Sequence, residues 1–410
     1  MPDKDFIVGC HPQTRAIRAG VNRTHNAETS EAVFLNSGFV FDSAEQADEA
    51  FRGEIDRYLY GRYANPTVAM LEERLLGLEK ADVCRTTATG MAAIFASLAC
   101  CLEAGDRVVA GSTLFGSSLH ILNKILPKWG VEVDLVPPSD MEAWEKALSK
   151  PAEAVFVETP TNPTLDIVDL RALADLSHKA GARLIVDNVV ATPILQRPLE
   201  LGADVIVYST TKHMDGQGRT LGGAVLCDAE FDKEYLQQFL RHTGPALSPF
   251  NAWTVLKGLE TLGLRVRQQS SNAQFLAEKL EALPNVNRVA YPGLASNPGH
   301  EVAKAQMDGQ FGTVLSVELA GGRPAAFAFL NALNLVDLSN NLGDTKSLSC
   351  HPTTTTHRVL SEEDREAAGI TEGLVRISVG LEHQDDLWAD LQQAAEAAAS
   401  AAADAPKQAA

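Results

Sequence analysis

A stretch near the middle of the chain reads VIVYSTTKHMDGQGRTLGG and covers residues 205–223. Its first residues are apolar and β-branched, which predicts a buried strand of a parallel sheet. Hydroxyl side chains follow, then Lys212, and then a run that is rich in glycine. A lysine at the end of a buried strand is costly, because removing water from an ammonium group carries a penalty of several kcal/mol.

A covalent bond between the Lys212 amine and an aldehyde would remove this cost. Pyridoxal phosphate (PLP) supplies such an aldehyde, and its phosphate would accept hydrogen bonds from the hydroxyls of Ser209 and Thr211. The stretch therefore predicts a PLP site with Lys212 as the catalytic residue. A surface lysine in a turn is the alternative that this stretch alone leaves open.

The composition narrows the classes of protein that the chain can represent. It has 410 residues and a net charge of -18, without a basic cluster, which argues against a nucleic-acid partner. Its six cysteines are scattered and form no Cys-x-x-Cys pair, which favours reduced thiols in a cytoplasmic protein over disulfides or a metal site. No apolar run approaches the length of a membrane span, and the first residues lack a signal core.

Short apolar runs alternate with helical stretches from about residue 80 onward. This alternation predicts an α/β fold with a largely parallel sheet between helices. Ligands of such sheets bind at the carboxyl ends of the strands. Four chemically active side chains end or follow these apolar runs: Glu158, Asp187, Ser209 and Lys212.

The pattern changes along the chain and predicts four segments. Residues 1–60 are irregular and indicate an arm, and residues 61–255 carry the predicted cofactor-binding domain. One long helix and two further strands, near residues 314 and 375, indicate a smaller α/β domain over residues 256–396. Residues 397–410 are rich in alanine without an apolar stripe, so we expect a frayed tail.

Three further features are compatible with a PLP site. Asp187 follows a buried strand and could pair with a pyridine nitrogen, although a loop cap is the common role of such an aspartate. Gly90 and Met91 begin a predicted helix, whose first N–H groups form an anion site. Tyr60 and Arg62 lie two residues apart, and in an extended chain both would point toward one phosphate.

Together these residues resemble the Cys/Met-metabolism family of PLP enzymes, the relatives of cystathionine γ-synthase. The likeness extends from about residue 14 to residue 390, and three of its motifs are specific. They are the lysine motif at residues 209–212, the aspartate motif at 186–188, and YGRYANPT at 60–67. The resemblance implies a fold of type I with a seven-stranded sheet. It also implies a homotetramer built from dimers, in which Tyr60 and Arg62 reach the phosphate of the neighbouring subunit.

The resemblance also implies roles for other residues. Gly90 and Met91 would donate N–H groups to the phosphate, and Asn162 would bond the phenolic oxygen of the cofactor. Two departures from the family pattern stand out: a tyrosine that stacks on the ring in many members is replaced by Phe115, and a serine is replaced by Asn341. Phe115 can stack but cannot transfer a proton. In the substrate site, Arg376 would bind the substrate carboxylate, Thr356 would orient that arginine, and Asn341 would contribute an amide.

Segments typical of one branch of the family imply a reaction. It is a γ-replacement that converts O-succinyl-L-homoserine and sulfide into L-homocysteine and succinate, a step of methionine biosynthesis. Lys212 would be the base, and either Arg219 or Lys346 would bind the succinyl carboxylate, with a structural ion pair as the alternative for both. Four alternatives stay open. Three are enzymes, namely cystathionine γ-synthase, O-acetylhomoserine sulfhydrylase and methionine γ-lyase, and the fourth is a non-catalytic PLP-binding homologue.

Overall fold

A computed structural model describes residues 4–404 of the chain. It contains two sheets, each with helices packed on it. The strands of the larger sheet are β1 (Val83–Thr87), β2 (Arg107–Gly111), β3 (Glu132–Val136), β4 (Ala154–Glu158), β5 (Arg183–Asp187), β6 (Val205–Tyr208) and β7 (Gly223–Cys227). Those of the smaller sheet are β8 (Val286–Ala290), β9 (Val314–Leu319), β10 (Asp337–Leu338), β11 (Leu348–Cys350) and β12 (Leu374–Ser378).

The larger sheet is mostly parallel and has seven strands, as predicted. Its order is β1-β7-β6-β5-β4-β2-β3, and the pairs from β3 across to β6 are parallel. Only β7 runs against its neighbours in this sheet, pairing antiparallel with both β6 and β1. Because β4, β5 and β6 are adjacent and parallel, their carboxyl ends meet at one edge, where ligands of such sheets bind.

Helices cover both faces of the larger sheet and one face of the smaller sheet, and apolar clusters fill the space between the layers. The first helices along the chain are α1 (Lys4–Val8), α2 (Pro12–Arg18), α3 (Ala44–Phe51), α4 (Pro66–Glu79), α5 (Gly90–Ala99), α6 (Gly116–His120), α7 (Met141–Ala147), α8 (Leu170–Lys179) and α9 (Thr192–Leu195). The remaining helices are α10 (Ala229–Phe231), α11 (Gln237–Thr243), α12 (Pro249–Leu259), α13 (Leu262–Glu281), α14 (His300–Gln306), α15 (Gly322–Ala332), α16 (Glu362–Ala367) and α17 (Gln384–Asp404).

The start of α4 shows how local sequence defines an element. The Asn65 side chain caps the helix by accepting from the N–H groups of Thr67 at 2.9 Å and Val68 at 3.4 Å. Pro66 follows at the first helical position, where a missing N–H costs nothing. The pair Asn65-Pro66 therefore accounts for where this helix begins.

Strand β1 does not correspond to an apolar run of the sequence. Its sequence, VCRTT, has Arg85 at the centre, so it does not look like a buried strand. The Arg85 guanidinium donates to both carboxylate oxygens of Asp232, at 2.8 and 2.6 Å, which keeps the charge paired at the sheet edge.

The single long helix predicted after residue 250 is wrong. The structure has two helices, α12 and α13, separated at Glu260 and Thr261. Arg265 accounts for the break, because its guanidinium donates at 2.7 Å to the carbonyl of Gly258, in the last turn of α12. A side chain at Gly258 would also lie 2.2 Å from the carbonyl oxygen of Met214, so this helix end is packed tightly against the segment after Lys212.

The predicted frayed tail is also wrong for the residues that the structure describes. Helix α17 continues to Asp404 and packs against α13 and α15. Leu391, Ala394 and Ala398 lie on one face of α17 and are fully buried in the core of the smaller sheet. Small alanines form a buried stripe here because they let the helices approach closely. The rest of the predicted tail, residues 405–410, lies outside the described residues.

Candidate active site

Three strand ends bring the candidate residues together at one edge of the larger sheet. In the parallel pairing of β4 with β5, Glu158 lies opposite Asp187, and Asp187 in turn lies opposite Val207 of β6. The turn after β6 brings Lys212 back beside this edge, because its N–H donates to the Ser209 carbonyl at 3.2 Å. The alternation of strands and helices in the sequence therefore leads to one shared site.

The Lys212 side chain is partly buried, and its amine has a single hydrogen-bond partner among residues 4–404. Nζ donates to Oδ1 of Asn341 at 2.6 Å. Burial, and next the positive charge of Arg376, lower the pKa of Lys212 to about 8. An amine with this pKa is partly neutral near pH 7, so it can act as a nucleophile and as a base.

Two buried carboxyl groups lie opposite each other at this edge of the sheet. Burial raises the pKa of Asp187 to about 7, and one of its oxygens accepts from the Val189 N–H at 3.1 Å. Burial and then repulsion from Asp187 raise the pKa of Glu158 well above its ordinary value. Glu158 accepts from the N–H of Phe115 at 2.9 Å and from that of Asn162 at 3.1 Å, so it ties two predicted cofactor contacts to β4.

The amino-terminal end of α5 lies against the turn that carries Ser209. A side chain at Gly90 would meet Cβ of Ser209 at 2.5 Å, so only glycine allows this close approach. The Thr89 hydroxyl caps the helix by accepting from the Ala92 N–H at 3.1 Å. The N–H groups of Gly90 and Met91 have no acceptor within the helix, because they belong to its first turn. An anion of phosphate size is favoured at this position.

Thr211 does not contribute a free hydroxyl in this structure. Its Oγ1 donates to the Gly222 carbonyl at 3.3 Å and accepts from the Gly222 N–H at 3.1 Å. The Ser209 hydroxyl has no hydrogen-bond partner among residues 4–404. Of the two hydroxyls predicted to bind a phosphate, that of Ser209 is therefore free, whereas that of Thr211 is already hydrogen-bonded to Gly222.

Arg376 lies on β12 of the smaller sheet, is 1% exposed, and points into the same site. Its Nη1 donates to Oδ1 of Asn162 at 3.0 Å, and its Nη2 donates to the carbonyls of Asn340 and Asn341, both at 2.9 Å. Its Nε is buried without a partner. Burying such a donor is expensive, so this atom is the candidate contact for a substrate carboxylate.

The predicted orienting role of Thr356 is not what the structure shows. The Thr356 hydroxyl pairs with Nδ1 of His357 at 2.8 Å, and Arg376 is oriented by Asn162 and two backbone carbonyls instead. His357 was not singled out in the sequence. It is fully buried, and burial followed by the charge of Arg376 lowers its pKa to about 4. Its only signal was a histidine that closes the polar run HPTTTTH.

Tyr60 and Arg62 do not reach Lys212 within one chain. Residues 60–63 form a turn closed by the Tyr63 N–H and the Tyr60 carbonyl at 2.8 Å, so the predicted extended segment is wrong. The Arg62 guanidinium lies 4.8 Å from the Tyr63 ring and 5.4 Å from the Tyr60 ring, and it donates to the Arg241 carbonyl. Their contact with a neighbouring subunit stays a prediction.

Neither cation predicted for the succinyl carboxylate is free. Arg219 is paired with the buried Asp215, to which its Nε donates at 2.9 Å. Lys346 donates to Asp344 at 2.8 Å. The structural ion pair, which the sequence left open as the alternative, is thus present for both residues.

The residues present fit PLP. Lys212 offers an amine, and the second oxygen of Asp187 accepts no hydrogen bond from residues 4–404, which leaves it available to a ring nitrogen. The start of α5 and the adjacent Ser209 hydroxyl offer donors for a phosphate, and Phe115, whose N–H donates to Glu158, offers an aromatic side chain. No group of three or more metal-ligating side chains occurs in the described part of the chain, and none of its helices is long and apolar enough to cross a membrane.

A mostly parallel sheet with a lysine and an aspartate at its carboxyl edge defines the class of PLP-dependent enzymes of fold type I. The sequence profile of the Cys/Met metabolism PLP-dependent enzyme family matches residues 13–396. The chain belongs to this family.

Named relatives resemble the chain over almost its whole length. An O-succinylhomoserine sulfhydrylase of Mycobacterium tuberculosis is 50% identical over 390 residues, which are 94% of this chain and 96% of the relative. That of Pseudomonas aeruginosa is 47% identical over 385 residues, which are 94% of this chain and 95% of the relative. The crystal structure of cystathionine gamma synthase from Xanthomonas oryzae pv. oryzae, in complex with aminoacrylate and cysteine, is 36% identical. It has a TM-score of 0.91 and covers 96% of this chain and 99% of the other.

Proposed function

We propose that this enzyme makes L-homocysteine and succinate from O-succinyl-L-homoserine and sulfide. The observation that carries the proposal is the identity of 50 and 47% with relatives named O-succinylhomoserine sulfhydrylase, over at least 94% of this chain. The residues at the site are compatible with it. Lys212 is a base with a lowered pKa, while Phe115, which lies beside the site, has no proton to transfer.

Each residue of the site has a defined task in this reaction. When bound, PLP supplies an electron sink conjugated to the substrate α-carbon. Asp187 would hold the ring nitrogen, the first N–H groups of α5 would hold the phosphate, and Nε of Arg376 would bind the substrate α-carboxylate. Nζ of Lys212 would take the α-proton and pass it on to the bound cofactor. Neutral again, the same amine would take a β-proton, and succinate would leave from the γ-carbon with the bonding electron pair. Hydrosulfide adds to that carbon, and the same amine returns the protons.

Product identification tests the proposal. The purified holoenzyme would be given O-succinyl-L-homoserine with sulfide, with cysteine, or with neither. We expect homocysteine and succinate with sulfide as the fastest outcome. Cystathionine as the main product would indicate a cystathionine γ-synthase, and ammonia with α-ketobutyrate in the absence of a nucleophile would indicate a lyase. A faster reaction with O-acetyl-L-homoserine would reassign the acyl donor.

Asn341 provides a prediction about the lysine. Asn341→Ala removes the acceptor 2.6 Å from Nζ but keeps the backbone carbonyl that holds Arg376. We expect kcat to fall about tenfold, because a hydrogen bond to a charged group is worth roughly 1.5–3 kcal/mol, with KM little changed. Losing the acceptor destabilises the Lys212 ammonium and lowers its pKa. The acidic limb of the pH–rate profile therefore moves to lower pH. Asn340→Ala, which removes a neighbouring exposed side chain, serves as the control. An unchanged pH profile in Asn341→Ala contradicts this role.

We further propose that the active sites are shared within dimers that pair into a tetramer in the cytoplasm. Support comes from large apolar side chains of the arm that one chain leaves exposed, including Phe6, Leu35 and Val40. The six cysteines are free, which agrees with a reducing compartment. Light scattering would give the assembly. If the sites are shared, mixing inactive Arg62→Ala and Lys212→Ala subunits restores activity, because the mixed dimer keeps one intact site.

A further inference from the structure

The succinyl ester differs from the acetyl ester by a terminal carboxylate, and a site that selects it needs a cation. Most cations near the site already have partners. Arg219 and Lys346 are in ion pairs, and Arg265 donates to three backbone carbonyls. Arg376 has three acceptors and a position suited to the α-carboxylate. A different cation is therefore required.

Arg358 is an exposed arginine with no ion pair or side-chain hydrogen bond to any described residue. It lies in the turn formed by residues 355–360, where its own N–H donates to the Thr355 carbonyl at 3.4 Å. The acidic residues at the start of α16, Glu362 and Glu363, are not within ion-pair distance of it. Its guanidinium is thus available to an anion from outside the chain.

The turn that carries Arg358 packs directly on the Phe115 segment. A side chain at Gly116 would lie 2.9 Å from the Thr356 carbonyl oxygen and 3.7 Å from Cγ2 of Val359, so the residues on both sides of Arg358 touch the position after Phe115. The buried His357 ring anchors the turn on its inner side, and its Nδ1 pairs with the Thr356 hydroxyl at 2.8 Å. Arg358 is the exposed residue between these two anchor points, at the rim of the site.

We propose that Arg358 determines the acyl donor by binding the terminal carboxylate of the succinyl group. This proposal rests on the proposed function, since it concerns the same site. The planar guanidinium can bind a carboxylate through two parallel N–H···O bonds, whereas the acetyl ester has no group to offer it. The contact is made by the leaving group only, so it contributes to binding of the donor and not to the proton transfers at Lys212.

Donor selectivity tests the proposal. Arg358→Ala should raise KM for O-succinyl-L-homoserine about ten- to a hundredfold, the range expected for a charge-assisted pair, and leave the kinetics with O-acetyl-L-homoserine within about twofold. Arg358→Lys should give an intermediate KM, since lysine keeps the positive charge but lacks the planar guanidinium that forms two parallel hydrogen bonds. Lys346→Ala, which removes a cation already paired with Asp344, should leave the kinetics with both donors unaffected. The proposal is overturned if Arg358→Ala affects both donors equally or neither, or if Lys346→Ala reproduces its effect.

Succinate itself separates this proposal from the choice of nucleophile. Binding of succinate to the holoenzyme, measured by calorimetry, should weaken at least about tenfold in Arg358→Ala. If the wild-type enzyme uses O-succinyl-L-homoserine with cysteine instead of sulfide, the proposed function fails while the Arg358 results still hold. If the wild type neither prefers the succinyl donor nor binds succinate, both proposals fail.

Discussion

Replacing Lys212 by alanine abolishes turnover, with an expected fall in kcat of at least about 10⁴-fold, the upper range for a single general base. The loss is this large because the same amine both attaches the cofactor and moves each proton of the reaction. Among the described residues Nζ donates to Asn341, and its pKa is lowered to about 8, so this amine is suited to both tasks. The measurement is the rate of homocysteine formation at saturating substrate.

Covalent attachment gives a second readout for the same variant. Borohydride reduction followed by mass spectrometry should show the cofactor on the wild-type chain and not on Lys212→Ala. Lys212→Arg is the matched control, because it keeps a positive charge that cannot lose its proton near neutrality. We expect it to be as inactive as the alanine variant. Turnover that persists in either variant, or a cofactor bound covalently elsewhere, would contradict the role of Lys212.

The position of the site could be predicted from the sequence because it depends on strand order. Asp187 and Lys212 follow apolar runs, and neighbouring parallel strands bring the residues after such runs to one edge. The α5 site was also predictable, since a helix beginning at Gly90 presents its N–H groups whatever surrounds it. These features depend on the backbone and on local sequence.

The partners of long side chains could not be predicted in the same way. Arg219 and Lys346 have the charge that a succinyl group requires, but both are neutralised by aspartates only four and two residues away. Thr356 and Arg376 lie on different elements, and the Thr356 hydroxyl pairs with Nδ1 of His357 instead. Which hydrogen-bond partner a side chain takes depends on small differences in its position in the folded chain, and the spacing of residues in the sequence does not determine these.

Alanine in the tail was misjudged for a different reason. A sequence without large apolar residues has little to bury as an isolated helix, and frayed ends are then expected. In the folded chain, Ala394 and Ala398 lie against the helix pair α13 and α15, so the small side chain permits close packing. Periodicity measured from hydrophobicity alone does not detect an interface made by small residues.

Asp187→Asn should stabilise the cofactor-free protein while it inactivates the enzyme. The Asp187 carboxyl is fully buried beside Glu158, and its pKa is raised from 3.8 to about 7. Above pH 3.8 the unfolded chain loses this proton, whereas the folded chain keeps it until about pH 7. The stability of the folded state therefore falls as pH rises through this window, by roughly 1.4 kcal/mol per pH unit, and stays low above it.

A neutral asparagine of the same shape removes this penalty. At pH 8 the melting temperature of the cofactor-free variant should exceed that of the wild type by several degrees, and the fall between pH 4 and 7 should largely disappear. Catalysis should decrease in the same variant, because an amide cannot hold the ring nitrogen protonated as a carboxylate does. We expect kcat/KM to fall about a hundredfold or more, the scale of losing a preorganised electrostatic contact.

The opposite signs of the two effects distinguish a catalytic carboxylate from a structural one. Calorimetry of the cofactor-free protein across pH measures the expected gain in stability. Steady-state kinetics of the holoenzyme measures the expected loss of activity. Asp134→Asn is the control, since this exposed residue of β3 pairs with Arg107 at the surface and should change neither quantity appreciably. If Asp187→Asn is less stable than the wild type, the carboxylate supports the fold. If its activity is unchanged, the ring nitrogen is held by another group.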